Sequence, residues 1–107
     1  MHAAQDHIFK SLADPTRRAI FEHLCRDGEH NVRELTDLAG VSQPAVSKHL
    51  GLLKLAGLVH DRRAGRETHY SPRPQCLAPL IDWMNLYEAF WRERLDGLQA
   101  LLNRIEP

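Results

Sequence analysis

The sequence lacks the features that mark several large classes of protein. Its 107 residues include two cysteines, Cys25 and Cys76, which form no CxxC pair and give no disulfide framework. No apolar run approaches the roughly 20 residues of a membrane span, and the opening segment lacks the apolar core of a signal peptide. No glycine-rich phosphate loop, nucleophile signature or carboxylate motif indicates an enzyme. We therefore expect a non-enzymatic cytoplasmic protein with reduced thiols, folded as one domain over residues 1–107.

The chain has no net charge, but its basic residues are concentrated in one segment. Residues 42–73 contain six Lys and Arg against two Asp and Glu, a net charge of +4, which the rest of the chain balances with −4. Phosphate binding needs only a local excess of positive charge, so the whole-chain charge is a poor guide to it. This segment is a candidate nucleic-acid surface, and the alternative is an ordinary solvated charged surface.

Helix-start and helix-stop residues predict four helices in the first half of the chain. Asp14 is placed to cap the second helix, with Pro15 at its first position. Asn31 and Glu34 match a capping box for the third helix, which Gly40 ends. The first predicted helix covers residues 3–12, the second starts at Pro15 and ends before the turn at Gly28, the third lies in residues 31–40, and the fourth covers residues 43–56.

The third and fourth helices form a helix-turn-helix pattern. Only Val41 separates the stop at Gly40 from Ser42, the predicted N-cap of the fourth helix, and such a tight turn fixes the angle between two helices. After Gly57 the pattern changes to two strand-like stretches around Gly65, which predict a β-hairpin over residues 58–71. A hairpin directly after a helix-turn-helix is a wing, and residues 31–71 are therefore the predicted DNA-reading part.

The fourth helix has a polar first half and a leucine-rich second half, as a recognition helix requires. The major groove of B-DNA, about 12 Å wide, admits one α-helix whose N-terminal residues reach the base edges. The leucine half would anchor that helix to the core, and the alternative is an ordinary amphipathic surface helix. The predicted DNA-binding residues are Ser42, Gln43, Ala45, Ser47, Lys48 and His49 of the helix and Arg62, Arg63 and Arg66 of the wing.

An apolar stripe continues through residues 77–105, which we predict to form one long helix. Apolar residues recur there every seven positions, with Glu88 as the exception. A stripe on a helix of about 40 Å is longer than so small a core can cover, which favours a dimer interface over a long core helix. The predicted interface residues are Leu77, Ile81, Met84, Trp91, Leu95 and Leu98.

Three stretches occur in order along the chain: "LADPTRRAIFEHL" from Leu12, "VSQPAVSKHLGLLKLAGLV" from Val41 and "RRAGRETHYS" from Arg62. Together they resemble the ArsR/SmtB family of bacterial winged-helix repressors, over essentially the whole chain. The resemblance implies a mainly α fold of about five helices with a two-stranded wing. It also implies a homodimer paired through the first helix, with Ile8, and the last helix. Such a dimer would repress transcription from a palindromic operator in double-stranded DNA, in some members until an effector binds.

The metal-binding motifs of that family are absent from this sequence. The family places a cysteine pair in its third helix, and the matching run of this chain, "ELTDLAG", has Thr36 and Ala39 near those places and no cysteine. A second family site uses Asp and His residues of the last helix, and here Asp82 is present but no histidine follows His69. We therefore expect no metal site and no cofactor.

Two alternatives to a simple DNA-binding repressor remain open. Some relatives pair a cysteine of the second helix with one of the last helix, so a thiol-redox response through Cys25 and Cys76 is one alternative. A winged helix used as a protein-interaction module is the other, although the +4 segment argues against it. The sequence identifies neither the operator nor a small-molecule effector.

Overall fold

The computed structural model describes residues 3–105, so the two residues at each end of the predicted domain 1–107 lie outside it. Within residues 3–105 the fold is mainly α, with six helices and three strands, which confirms the predicted class. The helices are α1 Ala3–Ala13, α2 Pro15–Asp27, α3 Val32–Ala39, α4 Gln43–Leu55, α5 Ala78–Asn85 and α6 Glu88–Ile105, and the strands are β1 His30–Asn31, β2 Val59–Ala64 and β3 Glu67–Pro72. The residues group into two compact units, the first ending at Leu77 and the second beginning at Ala78.

Side-chain caps set the starts of α2 and α3 as the sequence predicts. The Asp14 carboxylate accepts a hydrogen bond from the backbone N–H of Arg17 at 2.8 Å. Asn31 accepts from the N–H of Glu34 at 2.8 Å, and the Glu34 carboxylate accepts in return from the N–H of Asn31 at 2.9 Å. This capping box satisfies two N–H groups that have no partner inside the helix. Gly40, with a φ of +69°, ends α3 in the left-handed conformation that favours glycine.

The core of the first unit is built from one face of each of its helices and the start of the sheet. The leucine half of α4 contributes to it as expected, because Val46, Leu50 and Leu53 are fully buried. The buried apolar residues are Ile8, Ile20, Phe21, Leu24, Leu35, Val46, Leu50, Leu53, Leu58 and Val59.

The structure places one predicted dimer residue, Ile8, inside the core of its own chain. Its side chain is only 2% exposed in the single chain, since Gln5, Ile8 and Ser11 follow one another at intervals of three and form the buried face of α1. A residue enclosed in the core of its own chain is not available to a partner. We therefore remove Ile8 from the candidate interface.

The wing is part of a three-stranded antiparallel sheet in the order β1-β3-β2. The hairpin of β2 and β3 pairs Val59 with Pro72 at its base and Ala64 with Glu67 beside the turn at Gly65. This confirms the predicted hairpin. The sequence analysis missed β1, whose two residues pair with Tyr70 and His69 of β3.

The second unit contains two helices where one long helix was expected. The chain leaves helical geometry at Leu86 and Tyr87, whose N–H groups donate to the carbonyls of Trp83 and Met84, three residues back, at 3.2 and 3.0 Å. The prediction of one uninterrupted helix over residues 77–105 is therefore wrong. Helix α6 restarts at Glu88, and an acidic residue in the first turn interacts favourably with the helix dipole.

None of the helices within residues 3–105 is long and apolar enough to cross a membrane.

Candidate nucleic-acid interface

Helix α4 presents a polar N-terminal half to solvent. The hydroxyl of Ser42 accepts a hydrogen bond from the N–H of Ala45 at 3.3 Å and so caps the helix. Ser42, Gln43, Ser47 and Lys48 are exposed, Ser42 and Gln43 at the start of the helix and Ser47 and Lys48 away from its buried apolar face. Ala45 is half-buried, and its small side chain allows a close approach to this part of the helix. The surface has the width of one helix and carries hydrogen-bonding groups, as contact with base edges requires.

His49 differs from the other predicted DNA-facing residues of α4. Its side chain is only 18% exposed, and its ring lies beside the start of α2. Nδ1 is 3.3 Å from a guanidinium nitrogen of Arg17, and Nε2 is 3.9 Å from the carboxylate of Asp14. An arginine only donates hydrogen bonds, so this contact requires Nδ1 to be the acceptor. The structure therefore directs the His49 ring toward α2, where it helps to fix the orientation of α4.

Arg17 is the partner of His49 that sequence reasoning missed. Its guanidinium also donates to the backbone carbonyls of Ser11 and Lys10, so it joins the end of α1 to α4. The hydrogen bond from the Arg17 N–H, assisted by the positive charge of the Arg17 guanidinium, lowers the pKa of Asp14 below its usual value. The corner between α1 and α2 is thus a fixed support for the recognition helix.

The wing tip carries two exposed cations. Arg63 and Arg66 are exposed on either side of the turn at Gly65. Within the described part of the chain, no carboxylate lies within 4.0 Å of either guanidinium. Both side chains are therefore available to an anionic partner such as a phosphate.

Arg62, the third wing residue predicted to bind DNA, is not available in the same way. It lies on β2 opposite His69, and its guanidinium donates through two nitrogens to the two carboxylate oxygens of Glu29, at 3.0 and 2.6 Å. The hydrogen bond from Arg62, assisted by its charge, lowers the pKa of Glu29, and that carboxylate in turn raises the pKa of Arg62. Glu29 was missed because 33 residues separate it from Arg62.

The structure shows which charges of the basic segment remain unpaired. The ammonium group of Lys54 lies 3.1 Å from the carboxylate of Asp61, which neutralises it as Glu29 neutralises Arg62. The carboxylate of Glu67 lies 3.8 Å from the guanidinium of Arg33. Among residues 3–105, the basic side chains of segment 42–73 without a carboxylate within 4.0 Å are Lys48, Arg63, Arg66 and Arg73. Three of these lie on the exposed half of α4 or at the wing tip, so the positive charge is concentrated on the predicted DNA-facing elements.

The second unit exposes the apolar side chains that were predicted to form a dimer interface. No residue of α5 or α6 is buried. Leu77, at the end of the first unit, is half-buried. The predicted residues that are more than half exposed are Ile81, Met84, Trp91, Leu95 and Leu98. These exposed apolar side chains make α5 and α6 a candidate surface for a protein contact.

The two cysteines are free thiols. Cys25 is exposed and Cys76 is half-buried. Partial desolvation raises the pKa of both thiols, and the proximity of Cys25 raises that of Cys76 further. In the described range, no group of three or more His, Cys, Asp or Glu side chains is arranged to hold a metal ion.

Comparison with known proteins places the helix-turn-helix in a described family. A family model described as a helix-turn-helix domain matches residues 12–62. The HTH-type transcriptional regulator Rv2034 of Mycobacterium tuberculosis is 41% identical over 102 residues, 95% of this chain and 92% of the relative. The arsenical resistance operon repressor of Escherichia coli is 40% identical over 101 residues, 92% of this chain and 81% of the relative.

A solved structure has the same winged helix-turn-helix fold. It is the solution structure of a homodimeric winged helix-turn-helix DNA-binding domain from Mycobacterium bovis, described as a possible ArsR-family transcriptional regulator. The match has a TM-score of 0.65 and 27% identity, and covers 78% of this chain and 77% of that one. With relatives of at least 40% identity along nearly its full length, this chain belongs to the ArsR/SmtB family of winged helix-turn-helix transcriptional regulators.

Proposed function

We propose that the protein is a homodimeric repressor that binds a palindromic operator through α4 and the wing. The observation that carries this proposal is the exposed polar half of α4 beside unpaired cations, with Lys48 on the helix and Arg63 and Arg66 at the wing tip. A DNA-binding regulator works beside the chromosome, so the proposal includes the cytoplasmic location expected from the sequence.

The residues of the interface would divide into two kinds of contact. Gln43 suits adenine, because its amide both donates and accepts, and Lys48 suits the acceptors of guanine or a phosphate. Ser42, Ala45 and Ser47 are short enough to let the helix approach the groove closely. Arg63 and Arg66 at the wing tip would contact the phosphate backbone, which positions the protein but carries no direct sequence information.

The dimer is proposed from the exposed face of α5 and α6. Met84, Trp91 and Leu95 are each about 60% exposed, and large apolar side chains exposed together indicate a contact surface. The Mycobacterium bovis relative is described as homodimeric, which supports a second copy of the chain as that partner. A two-fold dimer presents two recognition helices related by symmetry, so its DNA site would be a palindrome with half-sites about one helical turn apart.

The test is a DNA-binding titration at several salt concentrations. A labelled fragment from immediately upstream of the gene is titrated with protein between 50 and 300 mM salt, and random duplex serves as the non-specific reference. Lys48, Arg63 and Arg66 give three cations per protomer and six per dimer, so we expect log K to fall with log[salt] with a slope of up to about 5, at roughly 0.9 per phosphate contact. Protection of a palindromic sequence from cleavage would identify the operator.

Variants separate the two kinds of contact. Gln43→Ala or Lys48→Ala should change sequence preference, with a cost of about 1–3 kcal/mol where a base contact is lost. Arg63→Gln should weaken binding to all duplexes alike and lower the salt slope by about 1 per protomer. Arg26→Gln, which removes one exposed cation from the end of α2, is the matched control. Absence of binding to any duplex, with the protein folded, would replace the repressor with the protein-interaction module.

A thiol-redox response of the same repressor through Cys25 and Cys76, which are both free thiols in the first unit, is a second candidate. Oxidation with diamide should then join the two thiols, detected as a loss of two hydrogens by mass spectrometry, and should lower operator affinity. Cys25→Ser should abolish both effects. Unchanged DNA binding after complete oxidation would exclude this response.

A further inference from the structure

One arginine of the wing is occupied by a carboxylate from outside the wing. Glu29 lies between the end of α2 and β1, and its two oxygens accept hydrogen bonds from Nε and Nη2 of Arg62. This two-point geometry is the one in which a guanidinium also binds a phosphate. Arg63 and Arg66, on the same hairpin, have no such partner among residues 3–105. The carboxylate therefore neutralises one of the three arginines of the wing.

The sheet fixes Glu29 in this position. The following residue, His30, pairs with Tyr70 of β3, and β3 lies between β1 and β2. His69, which is opposite Arg62 in the register, has Nδ1 3.8 Å from a Glu29 oxygen and Nε2 3.4 Å from Glu67. Glu29 thus reaches past β3 to Arg62, and the backbone pairing on both sides keeps the two groups together.

The ion pair is open to solvent. The side chain of Arg62 is 59% exposed and that of Glu29 is 34% exposed, so neither group is enclosed in the protein. An exposed ion pair contributes little to stability, and a competing anion can replace one of its members. A phosphate brought to the wing would find the guanidinium accessible.

We propose that Glu29 competes with DNA phosphate for Arg62 and thereby limits the affinity of the wing for DNA. The proposal rests on the proposed function, since it requires the wing to approach the DNA backbone. In the free protein Glu29 occupies Arg62, and contact with DNA must displace it. The expected consequence is weaker binding to non-operator DNA, where phosphate contacts supply nearly all of the affinity.

The test uses Glu29→Gln, which removes the charge and keeps the shape of the side chain. Glu22→Gln, an exposed residue of α2 with no ion pair among the described residues, is the control for a general change in net charge. Binding to random duplex is measured from 50 to 200 mM salt. We expect the slope of log K against log[salt] to steepen by about 0.9 per protomer in Glu29→Gln. Between 50 and 200 mM salt, this changes the affinity of the variant relative to that of the wild type about 3.5-fold per protomer.

A second substitution shows whether Arg62 is the source of the steeper salt dependence of Glu29→Gln. In the Glu29→Gln background, Arg62→Gln should remove the added slope, and its effect there should exceed its effect in the wild-type protein. Glu29→Gln behaving like Glu22→Gln would overturn the proposal. Weaker binding of folded Glu29→Gln to every duplex would overturn it as well, because Glu29 would then support the wing. In both cases wild-type DNA binding stands, whereas loss of binding by all proteins would refute the proposed function itself.

Discussion

The exposed face of α6 gives a quantitative prediction for Trp91. Its side chain is 60% exposed in the single chain. A tryptophan side chain can bury up to about 250 Å², so about 150 Å² remains for a partner to cover. At about 25 cal/mol per Å², this burial gives an upper limit of about 4 kcal/mol per protomer. Truncating an interface anchor to alanine commonly costs about 2 kcal/mol or more of binding free energy. We therefore expect Trp91→Ala to weaken dimerisation at least about 30-fold.

The dimer dissociation constant can be measured by sedimentation velocity over a range of protein concentrations. Leu55→Ala is the control, because Leu55 is also an exposed apolar residue but lies at the end of α4 in the first unit. Circular dichroism establishes that each variant keeps its helices. A folded Trp91→Ala protein with the wild-type dissociation constant would refute the assignment of α6 to the interface, and Leu98→Ala would test the same face a further two turns along.

Three further predictions concern the first unit. Asn31→Ala should lower the free energy of unfolding by about 1 kcal/mol, because it removes the cap of α3, while Asn31→Ser should keep most of it; urea denaturation measures both, and equal losses would contradict the capping argument. Since the pKa of Glu29 is lowered in the folded protein, its stabilising effect is present above the unfolded pKa of about 4.3 and is lost as the pH falls through the folded value. Glu29→Gln should therefore lose less stability than the wild type between pH 5 and 3, and identical acid profiles would argue against the ion pair. Because the thiol pKa values of Cys25 and Cys76 are raised, both should react with iodoacetamide at pH 8 more slowly than a free cysteine peptide, and faster reaction would favour the redox alternative.

The features that the sequence predicts well are those set by nearby residues. The caps at Asp14 and Asn31, the stop at Gly40 and the turn at Gly65 each depend on a few neighbours, and the structure confirms all four. The face of α4 that packs inward was predictable as well, because apolar residues at intervals of three and four must share one side of a helix. Which exposed residues of that helix touch DNA stays a prediction.

The features that were missed depend on contacts between distant parts of the chain. The pairing of Glu29 with Arg62 and the position of His49 beside Arg17 arise only when the helices and the sheet pack together. Strand β1 has two residues, too few to give an alternating pattern. The break before α6 did leave a signal, since Glu88 is the one position that departs from the seven-residue repeat, and the helix restarts there.

The hydrogen bond at the base of the wing makes the length of the hairpin independent of the rest of the chain. The N–H of Arg73 donates to the carbonyl of Leu58 at 3.0 Å, so the backbone leaves the hairpin beside the point where it enters. Adding one residue to each strand at the tip would extend the wing by about 3.4 Å and leave the separation of its two ends unchanged. The reach of the wing along a DNA backbone can therefore be altered, by evolution or by engineering, without repacking the helices that carry the recognition surface.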